Sequence, residues 1–419
     1  MAVDKLVDST QLDTDLTSVA NAIRTKGGTS AQLAFPAGFV SAIDAIPTGG
    51  GTPTRTEWYR PPDWPDISNL PFAGSYGAYM ILDTERMPSR TFDFTLTNTA
   101  GTTGILQIGT VKNGVFVVDQ EIVNSGAYSQ LHTITIPSDS ERFIVLYLKR
   151  SGSDGGGGSG SLFADPYAVP VVELRILYDA NGRSPLQDLD LMPYEQAVTI
   201  EGSGAIQLYG LSAHPWAKGA KCIRYKNATF TVGLRALYCI CQNMPALEEI
   251  QFDPQNRITL DATSQSDWPT FAFQNCYALR QVDLSFCNAE EVTTISQMFD
   301  CCYSLMSLNM DGWNLTACTY MSNTFRYCYS LRDISLSNSV LANVNISFAQ
   351  SSRLTDTSLI NIANALPTGA SKTLTLHATP KGRLTSIMGT VADGVFTEDA
   401  SGTVTLMDFI TNTKGWTVA

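Results

Sequence analysis

A repeat of 26 residues in the C-terminal half constrains the fold of this chain more than any other feature. Three copies of the pattern Phe-x-x-Cys-Tyr-x-Leu carry Cys276, Cys302 and Cys328 at intervals of 26 residues. Incomplete copies flank them, with Met244 and Ser351 in the cysteine position. A fixed period of this length, with atypical copies at its ends, predicts a solenoid whose stacked repeats share one core.

A short alternating segment follows the leucine of each repeat and predicts one β-strand per repeat. Alternate side chains of a strand point to opposite faces, so one set is expected to face the core. We expect these strands to form a narrow parallel sheet. The inward residues would be Ile250, Phe252, Val282, Leu284, Leu308, Met310, Ile334 and Leu336.

All nine cysteines lie between residues 222 and 328. The close pairs Cys239-x-Cys241 and Cys301-Cys302 have no histidine nearby and do not match zinc-site spacing, so no metal or other cofactor is expected. Residues at the same position of stacked repeats occupy equivalent spaces in the interior, and a small thiol can fill such a space. We therefore expect mostly buried free thiols. The alternative is a disulfide involving Cys301 or Cys318, which would indicate an oxidising compartment.

The fullest copies of the repeat span residues 290–308 and 317–334, each with methionine, phenylalanine, cysteine and leucine in the same order. They resemble the BspA-like leucine-rich repeats of bacterial surface proteins, whose pattern is roughly N-V-T-x-M-x-x-M-F-x-x-C-x-S-L-x-x-L-x-L. Counting partial copies, the resemblance covers about a third of the chain. It implies an extracellular adhesion or recognition module and not an enzyme.

Two sets of residues are candidate receptor-binding surfaces of the solenoid. Tyr277, Tyr303 and Tyr329 would form an aromatic platform for sugar rings if they stack on an accessible face. The alternative is that they only pack against one another at the repeat edge. The second set has short polar side chains that suit hydrogen bonding to a glycan or protein, although solvated sheet residues look the same. It comprises Gln251, Asp283, Ser285, Ser307, Asn309, Asp333 and Ser335.

Residues 56–180 alternate with period two and predict an antiparallel β-sandwich. The strongest signal is a hairpin across Lys112-Asn113-Gly114, and the glycine-rich residues 151–160 are read as a loop within the sandwich. Aromatic residues among prolines would line a groove or, as is commoner, pack in the core; they are Trp58, Tyr59, Trp64, Phe72 and Tyr76. Further strands are predicted at 92–96, 104–111, 115–118, 132–136, 143–148 and 169–178.

Residues 1–47 predict two short helices, too poor in large apolar groups to fold alone, and 48–55 form a linker. The segment from Asp13 to Ile43 is similar to N-terminal segments of tail-associated bacteriophage proteins. The resemblance implies attachment to other virion proteins, although a cap on the same chain is equally compatible with the pattern. The candidate attachment residues are Leu16, Val19, Ile23, Phe35, Phe39 and Ile43.

Residues 354–363 and the closing Lys414-Gly415-Trp416-Thr417 resemble C-terminal modules that follow such repeats in phage proteins. The expected fold class is therefore multidomain and mainly β. Its parts are a helical attachment segment (1–47), a linker (48–55), a β-sandwich (56–180), a leucine-rich repeat solenoid (181–354) and a small α/β C-terminal cap (355–419).

Composition and charge argue against several classes of function. The net charge is −12, and Lys and Arg form no cluster, so nucleic acid is not an expected partner. The longest apolar runs, residues 143–148 and 169–172, are far too short for membrane insertion, and the N-terminus lacks a signal-peptide pattern.

No catalytic residue is expected. His132 and His377 lie in predicted strands and His214 precedes Pro215, and none has a nucleophile pattern nearby. The acidic pairs Glu248-Glu249 and Glu290-Glu291 are more typical of a solvated edge than of glycosidase carboxylates, and their spacing matches no calcium loop.

Together these features predict a virion structural and adhesion protein of a bacteriophage, assembled in the host cytoplasm, which binds a host surface glycan or protein through its repeats. The tail-protein resemblance implies a homo-oligomer, with a trimer favoured. The alternatives are a bacterial cell-surface BspA-like adhesin, a capsid decoration or head fibre protein, and a glycan-degrading tail enzyme.

Overall fold

The chain is mainly β, with a β-solenoid of about five turns and additional antiparallel sheets. A computed structural model describes residues 64–72, 77–97, 103–125, 129–151, 161–164, 171–178, 189–190, 193–202, 219–226, 240–252, 270–287, 289–369 and 371–419. These residues belong to one unit, Glu57–Ala419. The predicted N-terminal helices, the linker at 48–55 and most of the glycine-rich stretch lie outside the described residues. No helix among the described residues is long and apolar enough to cross a lipid bilayer.

Two antiparallel arrays form the first part of the described chain. One has the order β8-β1-β6-β3-β4 and the other is a sheet with the order β5-β2-β7-β9, in which β7 and β9 pair in parallel. Met80 and Leu146 of the first array and Phe94 and Ile134 of the second belong to one hydrophobic core. The strands are β1 (Gly77–Asp83), β2 (Thr91–Thr97), β3 (Thr103–Lys112), β4 (Val115–Ser125), β5 (Ser129–Thr135), β6 (Phe143–Ser151), β7 (Ser161–Ala164), β8 (Val171–Tyr178) and β9 (Leu189–Asp190), with a 3-10 turn at Thr84–Arg86.

The predicted hairpin is confirmed: β3 and β4 pair along their length on either side of Asn113 and Gly114. Both turn residues have positive φ, at 54° and 75°, as a two-residue hairpin turn requires. The strands predicted at 92–96, 132–136, 143–148 and 169–178 correspond to β2, β5, β6 and β8.

The solenoid strands pair in parallel, one per repeat, as the period predicts. The parallel strands also continue into the antiparallel array, because β8 pairs antiparallel with β1 and parallel with β10. The result is one sheet of 11 strands, β15-β14-β13-β12-β11-β10-β8-β1-β6-β3-β4. Its hydrogen bonds run across the predicted boundary at residues 180 and 181. The strands are β10 (Pro193–Gly202), β11 (Ala220–Lys226), β12 (Glu249–Phe252), β13 (Gln281–Asp283), β14 (Ser307–Asn309) and β15 (Asp333–Ser335).

The solenoid core contains the residues predicted to point inward. All are buried except Phe252, which is half-buried against the core. A row of phenylalanines stacks through the repeats, with ring centroids 5.5 Å apart for Phe273–Phe299, 6.0 Å for Phe299–Phe325 and 4.5 Å for Phe325–Phe348. The strict period therefore produces continuous columns of identical side chains.

A buried ion pair lies where the antiparallel strands meet the parallel ones. Arg175 on β8 donates from Nε and Nη2 to the two carboxylate oxygens of Glu201 on β10, at 2.5 and 3.0 Å. Its Nη1 donates to the carbonyls of Ile67 and Leu70 at 2.7 and 2.6 Å, and the guanidinium lies 4.4 Å from the ring of Phe72. One arginine thus joins β8, β10 and the segment before β1.

The C-terminal residues form two small sheets and short helices. β16, β17 and β21 pair in parallel, and β19, β18 and β20 pair antiparallel. His377, expected in a strand, instead caps α2, with Nδ1 accepting from the Thr379 amide at 3.2 Å. The elements are β16 (Ile346–Phe348), α1 (Asp356–Ala365), β17 (Thr373–Leu376), α2 (Ala378–Arg383), β18 (Met388–Ala392), β19 (Val395–Glu398), β20 (Val404–Thr405), α3 (Leu406–Asp408), a π-helical turn (Phe409–Thr413) and β21 (Thr417–Val418).

Candidate functional site

The corner before each solenoid strand is held by backbone hydrogen bonds to the next repeat. The amides of Phe273, Phe299 and Cys301 donate to carbonyls one repeat further on, at 2.9–3.0 Å. Each corner also contains residues with positive φ, a conformation that asparagine tolerates better than most residues. These positions are Phe271, Gln297 and Asn323 in one row, and Asn243, Asn275, Cys301 and Tyr327 in another.

The repeated cysteines fill an interior slot and also act as hydrogen-bond donors. The Sγ atoms of Cys276, Cys302 and Cys328 donate to carbonyls of the preceding repeat, at 2.9, 3.1 and 3.2 Å. In the last copy the Ser351 hydroxyl donates to the Cys328 carbonyl at 3.2 Å. Sequence reasoning expected the filling but missed the hydrogen bond, although the serine in the last copy was a signal for it.

Seven described cysteines are buried free thiols, as predicted, and Cys301 is partly exposed. Burial raises the pKa of Cys276 to about 12, and it raises the pKa values of Cys302 and Cys328 well above the ordinary value. Cys239 lies outside the described residues, among which no group of three His, Cys, Asp or Glu side chains is arranged to hold a metal ion.

Tyr277, Tyr303 and Tyr329, here called the tyrosine ladder, lie on the outside of the same corner. Their ring centroids are 5.0 and 5.9 Å apart, with interplanar angles of 8° and 29°. The residues are nevertheless 42%, 40% and 49% exposed. The rings therefore pack on one another and remain accessible, so a ligand would meet ring edges and hydroxyls along the row. At one end the ring of Tyr329 also contacts that of Tyr327, with centroids 5.9 Å apart.

A polar row runs beside the ladder, in the position after the first residue of each Phe-x-x-Cys-Tyr-x-Leu copy, which is Cys241 in the incomplete first copy. Gln242 donates to Gln274 at 2.7 Å, and Gln274 donates to the carboxylate of Asp300 at 3.2 Å. Arg326 binds the same carboxylate through two nitrogens, at 2.8 and 2.5 Å. Burial alone would raise the pKa of Asp300, but the hydrogen bonds from Arg326 and Gln274 outweigh it and lower the pKa. Sequence reasoning missed this row because its residues differ from repeat to repeat.

The second predicted surface lies together on neighbouring strands, because Asp283 is in register with Asn309 and Ser307 with Asp333. Of the four residues just named, three have side chains that accept hydrogen bonds from nearby protein groups. Asp283 accepts from Ser285, Asn309 from the Asp311 amide, and Asp333 from Thr355. These bonds hold the turns after the strands and a neighbouring segment. The candidate attachment residues between Leu16 and Ile43 lie outside the described residues.

The two described histidines have structural contacts. His132 stacks on Phe94 with ring centroids 5.4 Å apart, and His377 caps α2; His214 lies outside the described residues.

No protein-family model, curated protein or solved structure matches this chain.

Proposed function

We propose that this chain is a bacteriophage virion protein that binds a host cell-surface glycan or protein through the tyrosine ladder of a leucine-rich repeat solenoid. The observation that carries the proposal is the row of three stacked tyrosines, each still 40–49% exposed. Tyrosine provides a large, amphipathic contact area at low cost in conformational entropy, which is why it is enriched in binding surfaces.

The core beneath the ladder supports a binding role because it fixes the positions of the rings. The cysteine next to each ladder tyrosine is fully buried, and stacked phenylalanines lie on the same repeats. A surface that is rigid before binding loses less conformational freedom when a ligand arrives. The ladder is therefore a preorganised row rather than a set of independently moving side chains.

The other parts of the chain have supporting roles in this proposal. In it the two antiparallel arrays, whose residues share one core, are assigned the role of a β-sandwich, and residues 355–419 that of an α/β cap. The virion setting, the attachment role of residues 1–47 and a trimeric assembly rest on the sequence resemblances. In the proposed role the protein recognises a surface and catalyses no reaction.

The test is binding of the full-length chain to a panel of bacterial cells, measured by flow cytometry. The full chain is used because β10 pairs with both β8 and β11, so a fragment containing only the repeats would lose strands that continue their sheet. Changing Tyr277, Tyr303 and Tyr329 together to alanine is expected to weaken binding by about tenfold or more, as for central aromatic residues of an interface.

Tyr320→Ala is the matched control, because Tyr320 is 65% exposed but belongs to a different row, bridged to Thr294. It should leave binding unchanged. Thermal unfolding of each variant separates lost binding from lost structure. The proposal fails if the folded triple variant binds cells as well as the unchanged protein, or if the unchanged protein binds no cells in the panel.

A further inference from the structure

We infer that the ligand of the tyrosine ladder is an extended anionic polysaccharide whose acidic groups meet arginines beside the ladder. This inference rests on the proposed function and names the chemical class of its receptor. Its starting point is the distribution of charge around the solenoid, which the net charge of the chain conceals.

Within the described part of residues 240–354, every cationic side chain lies at the tyrosine corner. Each of these arginines is within three residues of a ladder tyrosine or of Ser352, which takes the tyrosine position in the last copy. We call them the ladder arginines: Arg280, Arg326, Arg332 and Arg353. They place four guanidinium groups along one row, three of which are paired with acids: Arg280 with Glu248, Arg326 with Asp300 and Arg332 with Asp333.

Acidic side chains lie both at this corner and elsewhere on the repeats. Asp283, Glu290, Glu291 and Asp311 are away from the corner sequence. At the corner, Glu248 lies 3.3 Å from Arg280 and Asp333 lies 3.7 Å from Arg332. Both arginines and Asp333 are exposed and Glu248 is half-buried, and ion pairs near the surface contribute little to stability. An anionic ligand can therefore compete for these two arginines at small cost.

Arg326 differs because its guanidinium is bound to the buried carboxylate of Asp300. Its side chain is still 39% exposed, and guanidinium has five N–H donors, of which the Asp300 contacts use only part. Arg353 is exposed. The corner therefore offers a series of cationic donors along the direction in which the repeats stack.

The tyrosines favour the same ligand chemistry. Because their faces are stacked, they present edges, which carry the positive part of the ring quadrupole, and hydroxyls, which are hydrogen-bonding groups. Both groups attract anionic or hydroxyl oxygens. The side chain of Tyr303 is also hydrogen-bonded to Cys301. The rings recur at 5.0 and 5.9 Å, so the matching ligand is a chain with regularly repeated polar groups.

Backbone hydrogen bonding at the corner favours a polysaccharide over an acidic polypeptide. A polypeptide that adds to a sheet needs free main-chain groups on the protein. Here the Ser304 amide donates to the Tyr277 carbonyl at 3.2 Å, and the Met306 amide donates to the Arg280 carbonyl at 2.8 Å. Because these corner groups bind the neighbouring repeat, recognition relies on side chains, which suits a polymer of sugar rings bearing acidic groups.

The test is calorimetric titration of the full-length protein with polygalacturonate, hyaluronan, carboxyl-reduced polygalacturonate and poly-glutamate. We expect the two anionic polysaccharides to bind, and the carboxyl-reduced form to bind about tenfold or more weakly. Raising NaCl from about 0.05 M to about 0.5 M should weaken binding, because exposed charges are then screened. Arg280→Gln with Arg332→Gln should weaken it about tenfold.

The control is Lys112→Gln with Lys372→Gln, which removes the same charge away from the repeat corner and should not change binding. The inference is overturned if neither anionic polysaccharide binds, if the carboxyl-reduced form binds equally well, or if poly-glutamate binds more tightly than either. If cell binding is lost in the tyrosine variant but is unchanged by salt and by the arginine substitutions, this inference is overturned and the proposed function remains intact. Cell binding that ignores the tyrosines would overturn the proposed function.

Discussion

The cysteine slot combines two properties at one residue, namely small size and a weak hydrogen-bond donor. Met244 fills the slot without a donor, whereas Ser351 supplies a donor, and both are fully buried. A thiol is apolar enough for the core and still donates to a carbonyl of the preceding repeat. Packing and hydrogen bonding are therefore sufficient to explain why cysteine recurs at this position, without redox or metal chemistry.

We expect Cys301 to be alkylated by iodoacetamide before Cys276, Cys302 or Cys328 in the native protein. The reactive form is the thiolate, and burial raises the pKa of Cys276 to about 12 and those of Cys302 and Cys328 well above the usual range. Burial also raises the pKa of Cys301, so its reaction should be slow, but its side chain is partly exposed. Mass spectrometry of labelled peptides measures the order.

The same shifts determine the effect of pH on stability. In the unfolded chain these thiols regain an ordinary pKa of about 8.5, so above that pH the unfolded state loses protons that the folded state keeps. The free energy of unfolding is then expected to fall as pH rises further.

In the labelling experiment, modification of Cys302 or Cys328 as fast as Cys301 under native conditions would contradict the conclusion that the repeated cysteines are buried thiols.

At the scale of elements, the edge of the last solenoid strand is bonded by side chains of α1. The Ile334 amide donates to Ser358 Oγ at 2.9 Å, while Asn361 Nδ2 donates to the Ile334 carbonyl at 2.9 Å. Ser358 Oγ also donates to the Arg332 carbonyl at 2.9 Å. The Ile334 backbone of β15 is thus hydrogen-bonded although β15 is the last strand of the sheet. An unprotected sheet edge can pair with another chain, and the α1 side chains cover this one.

Ser358→Ala should lower the free energy of unfolding by about 1–3 kcal/mol, because it leaves the amide of the buried Ile334 without its partner. Urea denaturation measures the change. Thr357→Ala is the control on the same helix, since Thr357 is exposed and its replacement should have an effect within about 0.5 kcal/mol. Equal effects of the two substitutions would show that the strand edge does not depend on Ser358.

Sequence patterns predicted the elements whose causes are local or periodic. The period of 26 residues indicated the inward residues and the cysteine slot, and Asn113-Gly114 indicated the hairpin. The contacts of Ser358 with β15 and of Gln274 with Asp300 could not be predicted in this way. They depend on which chemically different side chains become neighbours in space, and neither set repeats with a constant residue type.

The candidate site was predictable to a similar extent. The spacing of the ladder tyrosines predicted their stacking. The sequence left open whether the rings form an accessible platform or only pack against one another, and in the structure they do both. A one-dimensional pattern identifies the row of a repeat to which a residue belongs. The exposed fraction also depends on how the corner turns and on which neighbouring groups cover the rings.

At the scale of the whole molecule, the two kinds of sheet form a single hydrogen-bonded array through β8. The alternation of a strand specifies its two faces but gives no information about the partner at each edge, which is why the sequence pattern did not indicate this continuity. The buried Arg175–Glu201 pair lies at this change from antiparallel to parallel pairing. We therefore expect the strands on both sides of β8 to depend on it.

Arg175→Met should destabilise the molecule by about 3–5 kcal/mol, because it removes the guanidinium that binds both carboxylate oxygens of the buried Glu201. Combining it with Glu201→Leu should recover much of the loss, since removing both charges avoids that penalty. Hydrogen–deuterium exchange of peptides from β1 and β13 provides the measurement, and faster exchange is expected in both strands of the single variant. If β13 keeps its protection while β1 loses it, the solenoid folds independently of the antiparallel array despite the shared sheet.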